Sequence, residues 1–92
     1  MKGAVYIKEC GDTTSVAPND VKAFTLEEMQ KYVGGYIEFV HLKHGDIMVI
    51  NEEGKLNAFR INDKATEIFQ KDFGEIDVIV GNVLITSPNF VN

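Results

Sequence analysis

The sequence contains little of what small proteins use to reinforce a fold or to catalyse a reaction. It has one cysteine, Cys10, no tryptophan and two histidines among 92 residues. One cysteine excludes an intramolecular disulfide, and with two histidines it cannot complete a zinc site of the usual Cys/His spacing. We therefore expect no disulfide, no metal and no other cofactor. An unpaired thiol is typical of proteins of the reducing cytosol.

Long apolar runs and positive charge are also scarce. Residues 1–10 lack the apolar segment of a secretion signal, and the apolar stretch 76–87 is interrupted by Asp77, Gly81 and Asn82. These features predict a soluble cytoplasmic protein that does not span or bind a membrane. Lys and Arg total 9 against 14 Asp and Glu, a formal net charge of -5. Because binding to duplex nucleic acid needs many Lys and Arg contacts to phosphates, duplex nucleic acid is not an expected partner.

The length suits a single domain over residues 1–92, but a core of this size gives marginal stability. Small domains add stability through disulfides, metals or oligomerisation. Since the first two are not expected here, we predict a homo-oligomer.

Local patterns predict the first half of the fold. Residues 4–7 are β-branched and aromatic, as in a strand, whereas Gly11 to Asp20 has the composition of a loop. The sequence Thr-Leu-Glu-Glu at 25–28 matches a capping box, and apolar residues follow at helical spacing. We predict a helix from Leu26 to about Val33 that ends at the glycines 34 and 35.

The second half reads as strands followed by a helix and a strand. Segments 36–42, 46–50 and 56–61 are strand-like and are separated by turns, which suggests an antiparallel meander. Asn62 can cap a helix over 63–73, which Gly74 ends. In 76–87, Gly81-Asn82 is read as a hairpin turn, with a glycine bulge in one long strand as the alternative. The order β-α-β-β-β-α-β(-β) predicts an α+β fold: a small antiparallel sheet with two helices packed on one face.

Residues that could support catalysis have simpler structural explanations. His41 and His44 fall at a strand end and in a turn, without the carboxylates of a metal site. Cys10 has no evident general base beside it. The adjacent glutamates at 27–28 and 52–53 suit a capping box and a solvated hairpin tip better than two carboxyls facing one cleft. We therefore predict a binding protein rather than an enzyme.

Five residues are the candidates for binding a ligand. Arg60 is the only arginine, and its planar fork could hold a phosphate or a carboxylate, with a surface salt bridge as the alternative. Tyr36 could stack on a base, although tyrosines near strand starts often cover a core edge. The remaining candidates are turn or cap residues that bind only if their loops converge on a pocket: Asn51, Lys55 and Asn62.

Several segments in combination resemble a family of short domains of unknown function found in phages, prophages and plasmids. The likeness covers residues 21–87 and rests on VGGYIE at 33–38, NEEGK at 51–55, Asn62 with 65–66, and 79–84. The resemblance implies a genomic setting, and small acidic phage proteins often inhibit host defence.

The resemblance further suggests a function. One class of such inhibitors consists of oligomeric sponges that sequester cyclic-nucleotide immune signals in the host cytoplasm, and the chain resembles these. In such a protein Arg60 and Lys55 would hold phosphates, Tyr36 a base face, and Asn51 or Asn62 a base edge. The alternative is a protein-binding module that inhibits a host factor through an acidic surface; an enzyme such as a nucleotide hydrolase ranks third.

Overall fold

The computed structural model describes residues 4–19 and 22–91. The strands in these ranges are β1 (Ala4–Ile7), β2 (Thr13–Val16), β3 (Ile37–His41), β4 (Ile47–Asn51) and β5 (Val83–Thr86). The helices are α1 (Leu26–Val33) and α2 (Asp63–Phe73), and a 3-10 turn covers Pro88–Phe90. The predicted α+β class, with an antiparallel sheet and helices, is confirmed.

The last strand of the chain lies in the middle of the sheet. The described strands are arranged in the order β2-β1-β5-β4-β3, and every neighbouring pair is antiparallel. Leu84 of β5 lies opposite Tyr6 of β1 on one side and Val49 of β4 on the other. All residues of β5 are buried, as its continuous apolar sequence requires of a strand covered on both faces. This order leaves β2 and β3 at the two edges of the sheet.

The two helices lie on opposite faces of the sheet. Because side chains alternate along a strand, Ile47 and Val49 of β4 point to one face, and Met48 and Ile50 point to the other. The first pair belongs to a core that includes Phe24, Met29, Val33 and Leu84. The second pair belongs to a core that includes Ile7, Ala65, Val83, Ile85 and Phe69. The expectation that both helices pack on one face is wrong, because β4 is apolar on both sides and needs a cover on each.

Two segments differ from their predicted structure. The stretch read as a loop contains β2, whose Thr- and Ser-rich sequence pairs with β1 along the sheet edge. Its polar composition concealed a strand whose first three residues are exposed and whose Val16 packs against the core on the α1 side. The predicted strand over 56–61 is instead a series of turns, with Ala58 at a φ of 57° and Phe59 N–H donating to Gly54 C=O at 3.0 Å. The predicted meander is therefore reduced to the β3–β4 hairpin.

Gly81-Asn82 is neither a hairpin turn nor a bulge within one long strand. Val80 forms an isolated bridge to Ile61, whereas Val83 begins β5 and pairs with β1. Gly81 has a φ of 78°, and a Cβ there would lie 2.8 Å from Cδ2 of Phe59. This glycine changes the direction of the chain where it enters the sheet, at a place too crowded for a side chain.

The capping box predicted for α1 is confirmed. Thr25 Oγ1 accepts from Glu28 N–H at 3.1 Å, and Glu28 Oε1 accepts from Thr25 N–H at 3.0 Å. Glu28 Oε2 also accepts from Asn19 N–H at 2.9 Å, which ties the preceding loop to the helix. These donors, first Asn19 and then Thr25, lower the pKa of Glu28 below its usual 4.5.

Replacing Glu28 with Gln should reduce the dependence of stability on pH in acid. Because the folded pKa of Glu28 is lowered, its carboxylate stabilises the fold above pH 4.5, and this contribution is lost as pH falls through the lowered value. Urea unfolding measured from neutral pH to below 4.5 should show a shallower loss of unfolding free energy for Glu28→Gln than for the wild type. Glu27→Gln, which removes the neighbouring charge, should follow the wild-type curve. Identical slopes for all three proteins would contradict this assignment.

Candidate functional site

An open groove of about 530 Å³ lies between the end of α1 and the turn after β4; we call it the Tyr36 groove. The groove is lined by Glu27, Gln30, Lys31, Gly34, Gly35, Tyr36, Asn51, Glu53 and Asn57. Its volume falls within the range of sites for small molecules. It combines one aromatic ring, several amides and charges of both signs.

The glycines at the end of α1 shape the floor of the groove. Gly34 adopts the left-handed conformation at φ 83°, and the N–H groups of Gly34 and Gly35 both donate to Gln30 C=O, at 2.8 and 3.1 Å. A Cβ on Gly35 would lie 2.9 Å from Nδ2 of Asn51, so a side chain at this position would displace the Asn51 amide. The chain then turns outward, and Tyr36 is 66% exposed.

Asn51 holds the two walls of the groove together. Its side chain is nearly buried, at 6% exposure, and Nδ2 donates to Val33 C=O at 3.1 Å. Its Oδ1 accepts from Glu53 N–H at 2.7 Å. By contrast, the side-chain amides of Gln30 and Asn57 form no hydrogen bond with the residues that the structure describes. Asn51 therefore positions the groove, and Gln30 and Asn57 present the amides available to a ligand.

A smaller hollow of about 310 Å³ lies on the α2 side of the sheet; we call it the Lys55 hollow. It is lined by Glu38, Val40, Ile50, Asn51, Glu52, Lys55, Phe69, Asp77, Val78, Ile79 and Val80. Lys55 Nζ donates to Asp77 Oδ1. This bond, followed by the Val78 N–H, lowers the pKa of Asp77. The charge of Lys55 is thus already engaged by a carboxylate.

Arg60 and Asn62 line neither the groove nor the hollow. Arg60 is exposed, and within the described ranges its guanidinium forms no ion pair, so the surface salt bridge considered from sequence is not seen. Asn62 is fully buried; Oδ1 accepts from Ala65 N–H at 3.0 Å, and Nδ2 donates to the carbonyls of Ile7 and Gly81, at 3.0 and 2.9 Å. Its predicted role as helix cap is confirmed.

The predicted ligand-binding residues therefore do not all converge. Tyr36 and Asn51 share the Tyr36 groove, and Asn51 and Lys55 share the Lys55 hollow. Sequence reasoning missed Gln30, Lys31 and Asn57. The first two occupy the last turn of α1 before the paired glycines, which is a position that could have been noticed. Asn57 was missed because its segment was taken for a strand rather than a turn.

The histidines contribute to turns. His44 Nε2 lies 3.0 Å from Asp46 Oδ2, and its Nδ1 lies 3.9 Å from Asp72 Oδ2, while His41 ends β3. Across residues 4–19 and 22–91, no group of three or more His, Cys, Asp or Glu side chains is arranged to hold a metal ion. Cys10 is exposed and unpaired. In the same residues, no helix has the length and apolar character needed to cross a bilayer.

The chain matches a known protein family over nearly all of its length. A family model described as a domain of unknown function (DUF3846) matches residues 1–90. The chain belongs to the DUF3846 family. The match includes the N-terminal stretch that the resemblance at 21–87 left out, in agreement with the position of β1 inside the sheet. No curated protein and no solved structure is significantly similar to this DUF3846 domain.

Replacing Asn62 with Ala should destabilise the protein by about 3 kcal/mol, because the helix cap is lost and two buried carbonyls lose their donor. Chemical unfolding monitored by circular dichroism measures the change. Asn57→Ala removes an exposed amide and should alter the unfolding free energy by less than about 0.5 kcal/mol. Equal stability of the two variants would contradict the structural role of Asn62.

Proposed function

We propose that this DUF3846 domain is a non-enzymatic binding protein that sequesters a cyclic nucleotide in the Tyr36 groove. The observation that carries the proposal is the exposed ring of Tyr36 in a groove that also holds the unengaged amides of Gln30 and Asn57. Aromatic rings stack on the face of a base, and amides bond to its edge. The groove offers both kinds of contact at once.

The charges of the groove favour a ligand with few negative charges. Lys31 is its cation, and Glu27 and Glu53 are its carboxylates. A linear triphosphate would bring a concentrated negative charge against these carboxylates. A cyclic nucleotide carries only phosphodiesters, one charge each, so its repulsion from the groove is smaller. This difference supports a cyclic ligand over a linear one.

Arg60 and Lys55, the other basic candidates, differ in whether a protein carboxylate already occupies them. Arg60 is exposed and its guanidinium is unpaired among the described residues, so a phosphate would not have to displace a protein carboxylate. Lys55 would have to leave Asp77 before it could bind one. Asn51 and Asn62 would act indirectly, by holding the groove wall and the sheet end in place.

The resemblance to phage, prophage and plasmid domains supplies the biological setting of the proposal. In that setting the protein would act in the host cytoplasm as an anti-defence sponge, and a homo-oligomer would provide several grooves per particle. Sequestration needs affinity and abundance but no turnover, so it is compatible with a site that offers stacking and hydrogen bonds.

Isothermal titration with a panel of cyclic di- and trinucleotides tests this proposal. We expect at least one to bind, and Tyr36→Ala to weaken it by roughly tenfold or more, since stacking on a base contributes about 1–3 kcal/mol. Tyr36→Phe keeps the ring and should keep most of the affinity, and Leu56→Ala serves as a control for another exposed apolar residue. Linear triphosphates should bind more weakly. Absence of binding across the panel would refute the proposal.

A second candidate function is supported by the Lys55 hollow. Glu38, Glu52 and Asp77 surround it, with Lys55 as the cation among its lining residues. Leu56, which follows Lys55, is 85% exposed. Carboxylates beside an exposed apolar side chain suit a basic protein surface, so the domain would inhibit a host factor by binding it.

A pull-down from host lysate tests this second candidate. The wild type should retain one stoichiometric protein, and the double variant Glu38→Gln/Glu52→Gln should lose it, because the attraction to a basic surface is weakened. Glu27→Gln/Glu67→Gln removes the same charge from the helices and should retain the partner. Equal recovery by both double variants would contradict a role for the hollow.

A further inference from the structure

Among the strands of residues 4–19 and 22–91, none pairs with the outer edge of β3. Tyr36 C=O accepts from Glu52 N–H at 2.8 Å, and Leu42 N–H donates to Asp46 C=O at 2.9 Å, on either side of β3. Along an antiparallel ladder, every second residue exchanges backbone hydrogen bonds with the neighbouring strand. Since residues 36 and 42 bond toward the β4 side, the even-numbered residues of β3 also bond to β4. The outward-facing N–H and C=O groups belong to Ile37, Phe39 and His41.

The opposite edge of the sheet is better protected against pairing. Strand β2 is shorter and consists of Thr, Thr, Ser and Val, and Pro18 follows it closely. Lys64 reaches this edge, where its Nζ donates to Thr13 Oγ1 at 3.3 Å. Strand β3 contains neither lysine nor proline, and Phe39 at its centre is 36% exposed. Edges without such protection are the ones that pair with another strand.

We infer that β3 pairs with β3 of a second copy of the chain, antiparallel, across a two-fold axis at Phe39. In this register every residue of β3 is paired: Phe39 lies opposite its own copy, and Ile37 lies opposite His41. Moving the axis to residue 38 would set Glu38 against Glu38 of the partner. Moving it to residue 40 would leave Ile37 and Glu38 outside the ladder. The axis at Phe39 therefore gives the longest pairing without opposed charges.

The chemistry of the strand fits a copy of itself. On the α1 face the axis brings together two Phe39 rings flanked by Ile37 and His41, and on the α2 face Glu38 lies opposite Val40. No like charges are directly opposite, and the two exposed Glu38 carboxylates are diagonal to each other, where water screens them. An interface of this kind is isologous and closes at two copies, because each chain offers the same edge.

The pairing also has a consequence for the Tyr36 groove, which rests on the proposed function. Continued beyond the strand ends, the register places Tyr36 opposite the partner's Leu42, and Gly35 opposite the partner's Lys43. Within one copy, Lys43 Nζ lies over the ring of Phe73, 5.9 Å from its centroid. Released from this contact, the exposed lysine of the partner would bring a cation to a groove whose own lining has two carboxylates and one cation. The second copy would thus add a second positive charge for a phosphodiester to the one that Lys31 supplies.

Native mass spectrometry of the ligand-free full chain tests the dimer. The wild type should give the mass of two chains. Phe39→Lys and Phe39→Glu, each of which sets like charges against each other at the axis, should give monomers with unchanged circular dichroism. An equimolar mixture of these two variants should regain the dimer mass. A monomeric wild type, an unchanged mass of both variants, or a mixture that stays monomeric would overturn the inference.

A backbone substitution provides a second test that leaves Phe39 in place. His41→Pro removes an outward-facing N–H and no bond to β4, so the chain should fold and remain monomeric. The matched variant is Ser15→Pro on β2, the opposite edge. The N–H of Ser15 points away from β1, so this variant also loses no bond within the sheet, and it should remain a dimer. If both proline variants were dimers, or both were monomers, the assignment of the interface to the β3 edge would be contradicted.

The ligand part is tested separately. Lys43→Gln should keep the dimer mass and weaken cyclic-nucleotide binding about tenfold, and Lys71→Gln should change neither. If the wild type is a dimer but no cyclic nucleotide binds, the proposed function fails and the interface stands. If the nucleotide binds a monomeric wild type, the interface fails and the proposed function stands. Equal affinity of Lys43→Gln and the wild type would overturn the contribution of the partner's Lys43.

Discussion

The structure depends on the pairing of β5 with both β1 and β4. This strand is fully buried, and it joins an N-terminal pair of strands to the β3–β4 hairpin. Without β5 the sheet would consist of two separate two-stranded units, which are marginal in water. Because β5 lies near the end of the chain and β1 near its beginning, the sheet closes only through long-range contacts. Each helix then covers a face that β5 has completed.

The entry into β5 is secured by an amide rather than by apolar contact alone. Asn62 caps α2, and its Nδ2 binds the carbonyl of Ile7 at the end of β1 and that of Gly81 just before β5. One buried side chain thus joins the start of α2, the end of β1 and the residues just before β5. A buried amide left without such partners would be costly, so these bonds also fix the relative positions of the three segments.

Local signals predicted what is locally determined, and long-range pairing accounts for what was missed. Thr25 with Glu28, and Asn62 with Gly74, mark both helices because caps depend on neighbouring residues. Strand β2 and the opposite placement of the helices depend on contacts with distant strands, which composition does not encode. For the site, Tyr36 was predicted as a tyrosine near a strand start that could stack on a base, and its ring is exposed. Asn62 is buried and bonded within the protein, and in sequence such a capping amide looks like a ligand-binding one.

The Tyr36 groove and the open edge are contiguous, since Tyr36 immediately precedes β3. Under the proposed pairing, a ligand in the groove would touch both copies, so it would bind the dimer more tightly than the monomer. Thermodynamic linkage then requires the ligand to strengthen the dimer by the same factor. Exposing an apolar edge strand carries a risk of aggregation, and the polar β2 at the other edge would confine such association to two copies. Assembly and sequestration would in this way reinforce each other.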